Sequence, residues 1–237
     1  MRLDSFLVEN NFYKSRNKAA EGIDRGEVCV NGKVCEKAST QVDSNDEVTL
    51  RREEIPFVSL GGDKLNKAVK YFLPEIQGKQ FIDVGASTGG FTEYALSQGA
   101  KKVIAVEKGT NQMKSPLRDN PKVELHEKTD IFDFVCEPDV VLADVSFISL
   151  TKILKYAKDN LANKNTEFLV MLKPQFEANP KDLTDGIVKN ETVRRGLIKK
   201  FEQWLKFNGF IIINKHDNEQ KGKHGNRERF YYLRLAK

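Results

Sequence analysis

The chain has 237 residues, 39 Lys and Arg against 34 Asp and Glu for a formal charge of +5, and 39% hydrophobic residues. That length and apolar content suit one large domain, or a compact domain with a small appendage, around a buried core. The odd count of three cysteines, without a CxxC pair, argues against a disulfide framework, and the longest apolar run, FLVML at 168–172, is too short to span a bilayer.

The first 56 residues read as a small α+β module with a linker from about residue 51. Leu3, Phe6 and Leu7 fall at helical spacing, and Ser15 can cap a second helix that carries Ala19, Ala20 and Ile23 and stops at Gly26. In EVCVNGKVC, apolar and polar residues alternate around Asn31-Gly32, a dipeptide suited to the positive φ angles of a type I′ turn, so a hairpin is predicted. A further strand, EVTLRR, closes the module. Lys14, Arg16, Lys18, Arg25 and Lys33 cluster around the second helix and the hairpin and form a candidate grip on RNA phosphates; a solvated helix face is the plain alternative. The segment at 51–59, charged and interrupted by Pro56, reads as the connection to residues 57–237.

Beyond it, strands and helices alternate. QFIDVG (80–85), KVIAVE (102–107), DVVLADVSF (139–147) and EFLVMLK (167–173) are nearly continuous apolar runs, as expected for strands covered on both faces. A helix is predicted over 191–207, then FIIIN (210–214) and RFYYLRL (229–235) as an antiparallel closing pair. The pattern predicts an open, doubly wound α/β sheet with its ligand site at the carboxyl ends of the strands.

The turn in FIDVGASTGGFTEYAL places glycines at 85, 89 and 90, which is not the G-x-G-x-x-G spacing of a dinucleotide site. The strand ending at Asp83-Val84-Gly85 runs into this turn, with Ala86, Ser87, Gly89, Gly90 and Phe91 completing it. Glu107 ends the next strand, where a carboxylate can accept hydrogen bonds from both ribose hydroxyls. A nucleoside is therefore expected, while the missing glycine at 87 argues against a pyrophosphate. Asp144 and Lys173 end two neighbouring apolar strands, roughly 5 Å apart, and charges in such a setting need partners or water. His126, His216 and His224 are dispersed without a ligand spacing, so no metal site is expected.

The motif D-x-G-x-x-x-G-G with a following acidic strand end resembles the S-adenosylmethionine (SAM) site of class I methyltransferases, a Rossmann-like seven-stranded fold. The resemblance implies that Asp83, Gly85, Ala86, Ser87, Gly89, Gly90, Phe91, Glu107 and Asp144 line that site, and that Asp130 meets the adenine. Lys64, Asp144, Lys173 and Glu228 follow one another in the order found in FtsJ-type RNA ribose 2′-O-methyltransferases. A ribose hydroxyl must lose its proton as it attacks a sulfonium methyl, and a lysine beside positive charge can take it. Lys173 is then the expected base, oriented by Asp144, with Lys64 and Glu228 positioning the hydroxyl.

Over nearly its whole length the chain resembles the TlyA family of hemolysin-named rRNA 2′-O-methyltransferases. The resemblance rests on RLDSFLVENNFYKSRNKAAEGIDRGEVCVNGKV, VSLGGDKL, FIDVGASTGGFT, LADVSFISL, MLKPQFE and GNRERFYYLR. It implies an N-terminal RNA-binding module of the ribosomal-protein type and SAM-dependent methylation of cytidine ribose in rRNA. Leu60 stands where that family usually has Arg, and Glu107 where Asp is commoner. No basic extension precedes MRLDSF, which resembles the subgroup acting on the large subunit. The competing readings are a non-enzymatic RNA-binding assembly factor, a membrane-active hemolysin and a base or protein methyltransferase. Against the last, DVSF stands where base N-methylation commonly needs an N/D-P-P-Y motif. The opening MRLDSFLVEN has acidic residues where a secretory signal would have an apolar core, so a cytoplasmic, plausibly monomeric protein without membrane contact is expected.

Overall fold

The computed structural model describes residues 1–13, 15–24, 26–43, 45–50, 57–72, 74–218 and 225–236. Lys14, Arg25 and residues 51–56 lie outside them, as do Lys221, Lys223 and His224. Two compact units divide the chain, Met1–Ile55 and Pro56–Lys237.

In the first unit, α1 (Leu3–Glu9) and α2 (Arg16–Asp24) precede β1 (Val28–Val30), β2 (Lys33–Val34) and β3 (Val48–Leu50), with sheet order β2-β1-β3. The hairpin turn falls on Asn31 and Gly32, both at positive φ (52° and 75°), which is why this dipeptide and not a β-branched pair joins the strands. Ser15 Oγ accepts the Lys18 backbone N–H and so opens α2. Leu3, Leu7, Ala19, Ile23, Val28 and Val42 form the core.

The second unit is a seven-stranded sheet in the order β6-β5-β4-β7-β8-β10-β9. Its strands are β4 (Gln80–Val84), β5 (Lys102–Glu107), β6 (Val123–Glu127), β7 (Val140–Ala143), β8 (Glu167–Leu172), β9 (Phe210–Asp217) and β10 (Arg229–Leu235). Strands β4 to β8 pair in parallel, while β10 runs antiparallel to both neighbours. The order runs outward from β4 in both directions, so the chain reverses sides between β4 and β7 and leaves a crevice above their carboxyl ends.

Each central strand feeds two cores because successive side chains alternate faces. Ile82, Val84, Val141 and Val170 pack with α6 (Leu150–Asn160) and α7 (Glu191–Phe207); Phe81, Leu142, Leu169 and Met171 pack with α3 (Leu60–Val69) and α4 (Gly90–Ser97), and the short α5 (Ser115–Arg118) lies between β5 and β6 in the chain. Two strands differ from the sequence reading. β7 stops at Ala143 instead of 147, because the chain turns away at Asp144 into a loop whose Phe147 adopts φ 65°. β9 runs on to Asp217, because it keeps pairing with β10 through His216 and Asp217.

Candidate active site

A cavity of about 380 Å³ opens at the carboxyl ends of β4, β7 and β8. The four residues Lys64, Asp144, Lys173 and Glu228 all line it. Three of them arrive by sheet register. Asp144 directly follows β7 and Lys173 directly follows β8; Arg229 of β10 pairs with Leu172 of β8, so Glu228 stands one step further, level with Lys173. Lys64 comes from α3, which approaches α4 with no side chain between them. A Cβ on Gly62 would lie 2.6 Å from the Gly90 carbonyl oxygen, and one on Gly90 2.8 Å from the Gly62 nitrogen. Only glycine allows that approach.

The four groups form two ion pairs. Lys64 Nζ donates to Glu228 Oε2 at 2.7 Å, and Lys173 Nζ lies 2.6 Å from Asp144 Oδ1. The first is an aligned hydrogen bond. The second is a close ionic contact outside hydrogen-bonding alignment, and Lys173 also donates to Ser146 Oγ at 3.1 Å. Asn218 supports Glu228 from behind, through its side-chain amide to Oε2 at 3.4 Å and its backbone N–H to the Glu228 carbonyl at 3.0 Å.

The glycine turn forms the opposite wall. Gly85 (φ 79°) and Gly89 (φ 94°) take the left-handed region, and Ser87 takes it too, at φ 48°. Position 87 thus takes a conformation that favours glycine without giving up its side chain. A Cβ on Gly85 would stand 3.3 Å from Val145 and 3.4 Å from the Asp144 carbonyl oxygen, so the turn rests against the loop after β7. Asp83 is fully buried beneath it. Its Oδ2 accepts the Thr92 hydroxyl at 2.7 Å while Oδ1 has no partner. Burial pushes this carboxyl up to about 7; Thr92 opposes the shift and the charge of Asp144 adds to it. A buried acceptor without a donor, beside a second carboxylate, favours a ligand that brings positively charged N–H groups.

Asp83, Gly85, Ala86, Ser87, Gly90, Phe91 and Asp144 line the cavity; Gly89, Glu107 and Asp130 do not. Glu107 Oε2 accepts the Ser87 backbone N–H at 2.9 Å and Oε1 the Gly109 N–H at 2.6 Å, which fixes the carboxylate at the next strand end. Asp130 caps the short helical turn Ile131–Asp133 through Phe132 N–H, and Lys108 Nζ at 2.9 Å holds its carboxyl below the usual range.

Ser146, Phe147, Gln175 and Phe176 are among the cavity residues that carried no sequence signal as single positions. A signal exists in their spacing, because an aromatic residue follows each charged strand end by three positions, Asp144 to Phe147 and Lys173 to Phe176. The two rings meet at 5.2 Å, tilted by 54°. Phe147 is 93% exposed at φ 65°, an expensive conformation for a bulky residue. Glu177 anchors the second loop: its Oε1 accepts Leu150 N–H at 2.7 Å and its Oε2 the Ser149 hydroxyl at 2.6 Å, at the start of α6.

In the first unit, Arg16 donates to buried Asp4 at 3.0 Å and Lys18 pairs with Glu21 at 2.9 Å, while Lys33 is exposed on β2. Arg2 and Arg16 hold the Asp4 carboxyl well below the usual range against the opposing effect of burial. Among the described residues, no cluster of potential metal ligands occurs and no helix is long and apolar enough to cross a membrane.

Comparison with known proteins places this geometry in context. The FtsJ-like methyltransferase family matches residues 57–235, and the S4 domain matches residues 1–48. Hemolysin A of Brachyspira hyodysenteriae is 38% identical, over 96% of this chain and 97% of that protein. The 23S rRNA (cytidine-2′-O)-methyltransferase TlyA of Campylobacter jejuni is 37% identical, over 98% of each. A solved structure of a hemolysin-named protein from Streptococcus thermophilus aligns with a TM-score of 0.77 at 31% identity, covering 100% of this chain and 88% of that one.

Proposed function

The chain belongs to the TlyA family of FtsJ-like, SAM-dependent methyltransferases, and from that premise we propose that it methylates the ribose 2′-hydroxyl of a cytidine in the rRNA of the large ribosomal subunit. The observation that carries this reading is the pair of ion pairs, Lys64–Glu228 and Asp144–Lys173, lining one cavity with the glycine turn.

SAM suits the residues present. Its ammonium and sulfonium supply the positive charge that the buried, unpartnered Asp83 Oδ1 and neighbouring Asp144 call for. The turn from Gly85 to Phe91 would hold its amino-acid part, and Glu107 and Asp130 at the following strand ends would meet the nucleoside. When bound, SAM supplies an electrophilic methyl group whose transfer leaves a neutral thioether. Lys173 Nζ would take the proton that the 2′-hydroxyl gives up in the transfer. Ser146 accepts a hydrogen bond from that amine at 3.1 Å and Asp144 holds it by charge at 2.6 Å, so both orient it toward the hydroxyl. Lys64 and Glu228 line the same cavity, Glu228 level with Lys173, and position the ribose.

The S4 domain supplies rRNA affinity in this reading, with Lys33 and neighbouring basic residues contacting phosphates. Large-subunit specificity is supported by the name of the Campylobacter relative, which specifies 23S rRNA. Ribosomes then place the enzyme's work in the cytoplasm.

The test is transfer of labelled methyl from SAM to large and small ribosomal subunits that lack the modification, comparing wild type with Lys173→Ala. Label is expected as a 2′-O-methylcytidine in large-subunit rRNA and is abolished by the substitution. Label that survives Lys173→Ala overturns the mechanism, and label confined to the small subunit overturns the target.

A further inference from the structure

The polar side chains around the cavity are mostly committed. Lys64 pairs with Glu228, Lys173 with Asp144 and Ser146, and Asp83 with Thr92. Asn226, the other amide on the wall, spends its Nδ2 on the Gly186 carbonyl and its Oδ1 on the Val188 N–H, both at 3.0 Å. Gln175, like Asp83 at Oδ1, keeps an uncommitted acceptor. Its Oε1 is buried and has no donor, although the residue lines the cavity.

Chain position adds a direction to that vacancy. Gln175 lies between Lys173, at the reacting end, and Phe176, whose ring leans on the exposed Phe147. Amine, amide and aromatic ring thus leave β8 within four residues, and Glu177 fixes this stretch to α6. The amide thus stands in the chain between the amine that a ribose would meet and the rings on which a base could stack. Oε1 is free to accept from a base without giving up a hydrogen bond.

We propose that Gln175 reads the target nucleobase, its Oε1 accepting from the exocyclic amine of cytosine. This rests on the methyltransferase reading above and names the group that makes that reaction cytidine-specific. Cytosine presents an amine donor where uracil presents a carbonyl acceptor, and an amide with its oxygen toward that edge rewards the first and is left facing like polarity by the second. A well-placed amide contact to a base edge discriminates by roughly ten- to a hundredfold.

The test uses the full-length protein and large subunits carrying either cytidine or uridine at the mapped target, with Lys173→Ala as control. Wild type is expected to prefer cytidine by that factor. Gln175→Ala loses the preference. Gln175→Glu, which can only accept, keeps it at a lower rate. SAM affinity measured by titration calorimetry stays within about twofold in both variants. An unchanged cytidine-to-uridine ratio in Gln175→Ala overturns the proposal, as does a wild type without preference, or an equal loss on both substrates in both variants. Methyl transfer by Lys173→Ala is the separate failure, that of the underlying mechanism.

Discussion

Lys64 and Glu228 stand 164 positions apart in the chain, yet their charged ends meet at 2.7 Å with both side chains buried. The contact joins a helix near the start of the second unit to the last strand of the sheet, so it works as a strut across the cavity as well as a part of it. Removing one partner leaves the other as an uncompensated buried charge, which costs about 3–5 kcal/mol. Lys64→Met is therefore expected to lower the urea midpoint by that equivalent. The double variant Lys64→Met/Glu228→Met is expected to recover most of the stability while remaining inactive. Recovery of activity together with stability in the double variant contradicts a role for the pair in positioning the ribose.

Asp83 predicts an unusual pH dependence. Its carboxyl sits at about 7 in the folded protein, pushed up by burial, against an ordinary 3.8. The folded state therefore keeps a proton that the unfolded chain has released, and stability falls as pH rises from about 4 to about 7. Asp83→Asn removes that slope. The variant is expected to gain on the order of 2 kcal/mol above pH 7, roughly 4–8 °C in Tm. It is also expected to bind SAM at least tenfold more weakly, since the neutral amide no longer answers a cation. Melting curves at pH 5 and 8 with and without SAM check both halves, and a variant that keeps the wild-type slope removes Asp83 as its source.

Much of this architecture is legible in the sequence because buried parallel strands leave an unmistakable trace. The runs around Phe81, Val103, Val140 and Leu169 are apolar on both alternations, and the structure shows a helical layer on each face of them. Strand β6 is fainter: VELHE is only partly buried at the edge, so two of its five positions carry charge. Asp144 and Lys173 attract notice because a charge ends an apolar strand. Gln175, Ser146 and Phe147 do not, since a loop glutamine, serine or phenylalanine is ordinary until the fold shows what surrounds it. Nor could spacing alone choose between Lys64 and Lys67. The turn of α3 decides it, sending Lys67 to Asp63 on the partly exposed helix surface at 2.9 Å and Lys64 inward.

Glu177 does not line the cavity, yet it anchors the stretch that carries Lys173, Gln175 and Phe176. Its carboxylate satisfies donors at the N-terminus of α6, where negative charge is also favoured by the helix dipole. Glu177→Ala is expected to cost about 1–2 kcal/mol and to lower kcat more than it raises the KM for SAM. Glu177→Gln retains one acceptor and recovers part of both. Equal effects of the two substitutions remove the acceptor geometry as the cause.

Phe147 combines near-complete exposure with a backbone conformation that suits glycine, so neither core packing nor local preference accounts for a phenylalanine there. An aromatic face at the mouth of a nucleotide-sized cavity is a stacking surface, and stacking on one base contributes about 1–3 kcal/mol. Phe147→Ala is expected to raise the KM for ribosomal substrate roughly ten- to a hundredfold, to leave SAM binding unchanged, and to keep the fold. Phe147→Leu, apolar but without a ring, loses nearly as much, whereas Phe147→Trp retains activity. The backbone supplies an independent check: Phe147→Gly relieves the positive φ and is expected to melt above Phe147→Ala by the equivalent of about 1 kcal/mol, while being equally poor with RNA. If instead the glycine variant is the less stable of the two, the loop changes conformation in solution, and the ring is not held at the cavity mouth by its backbone.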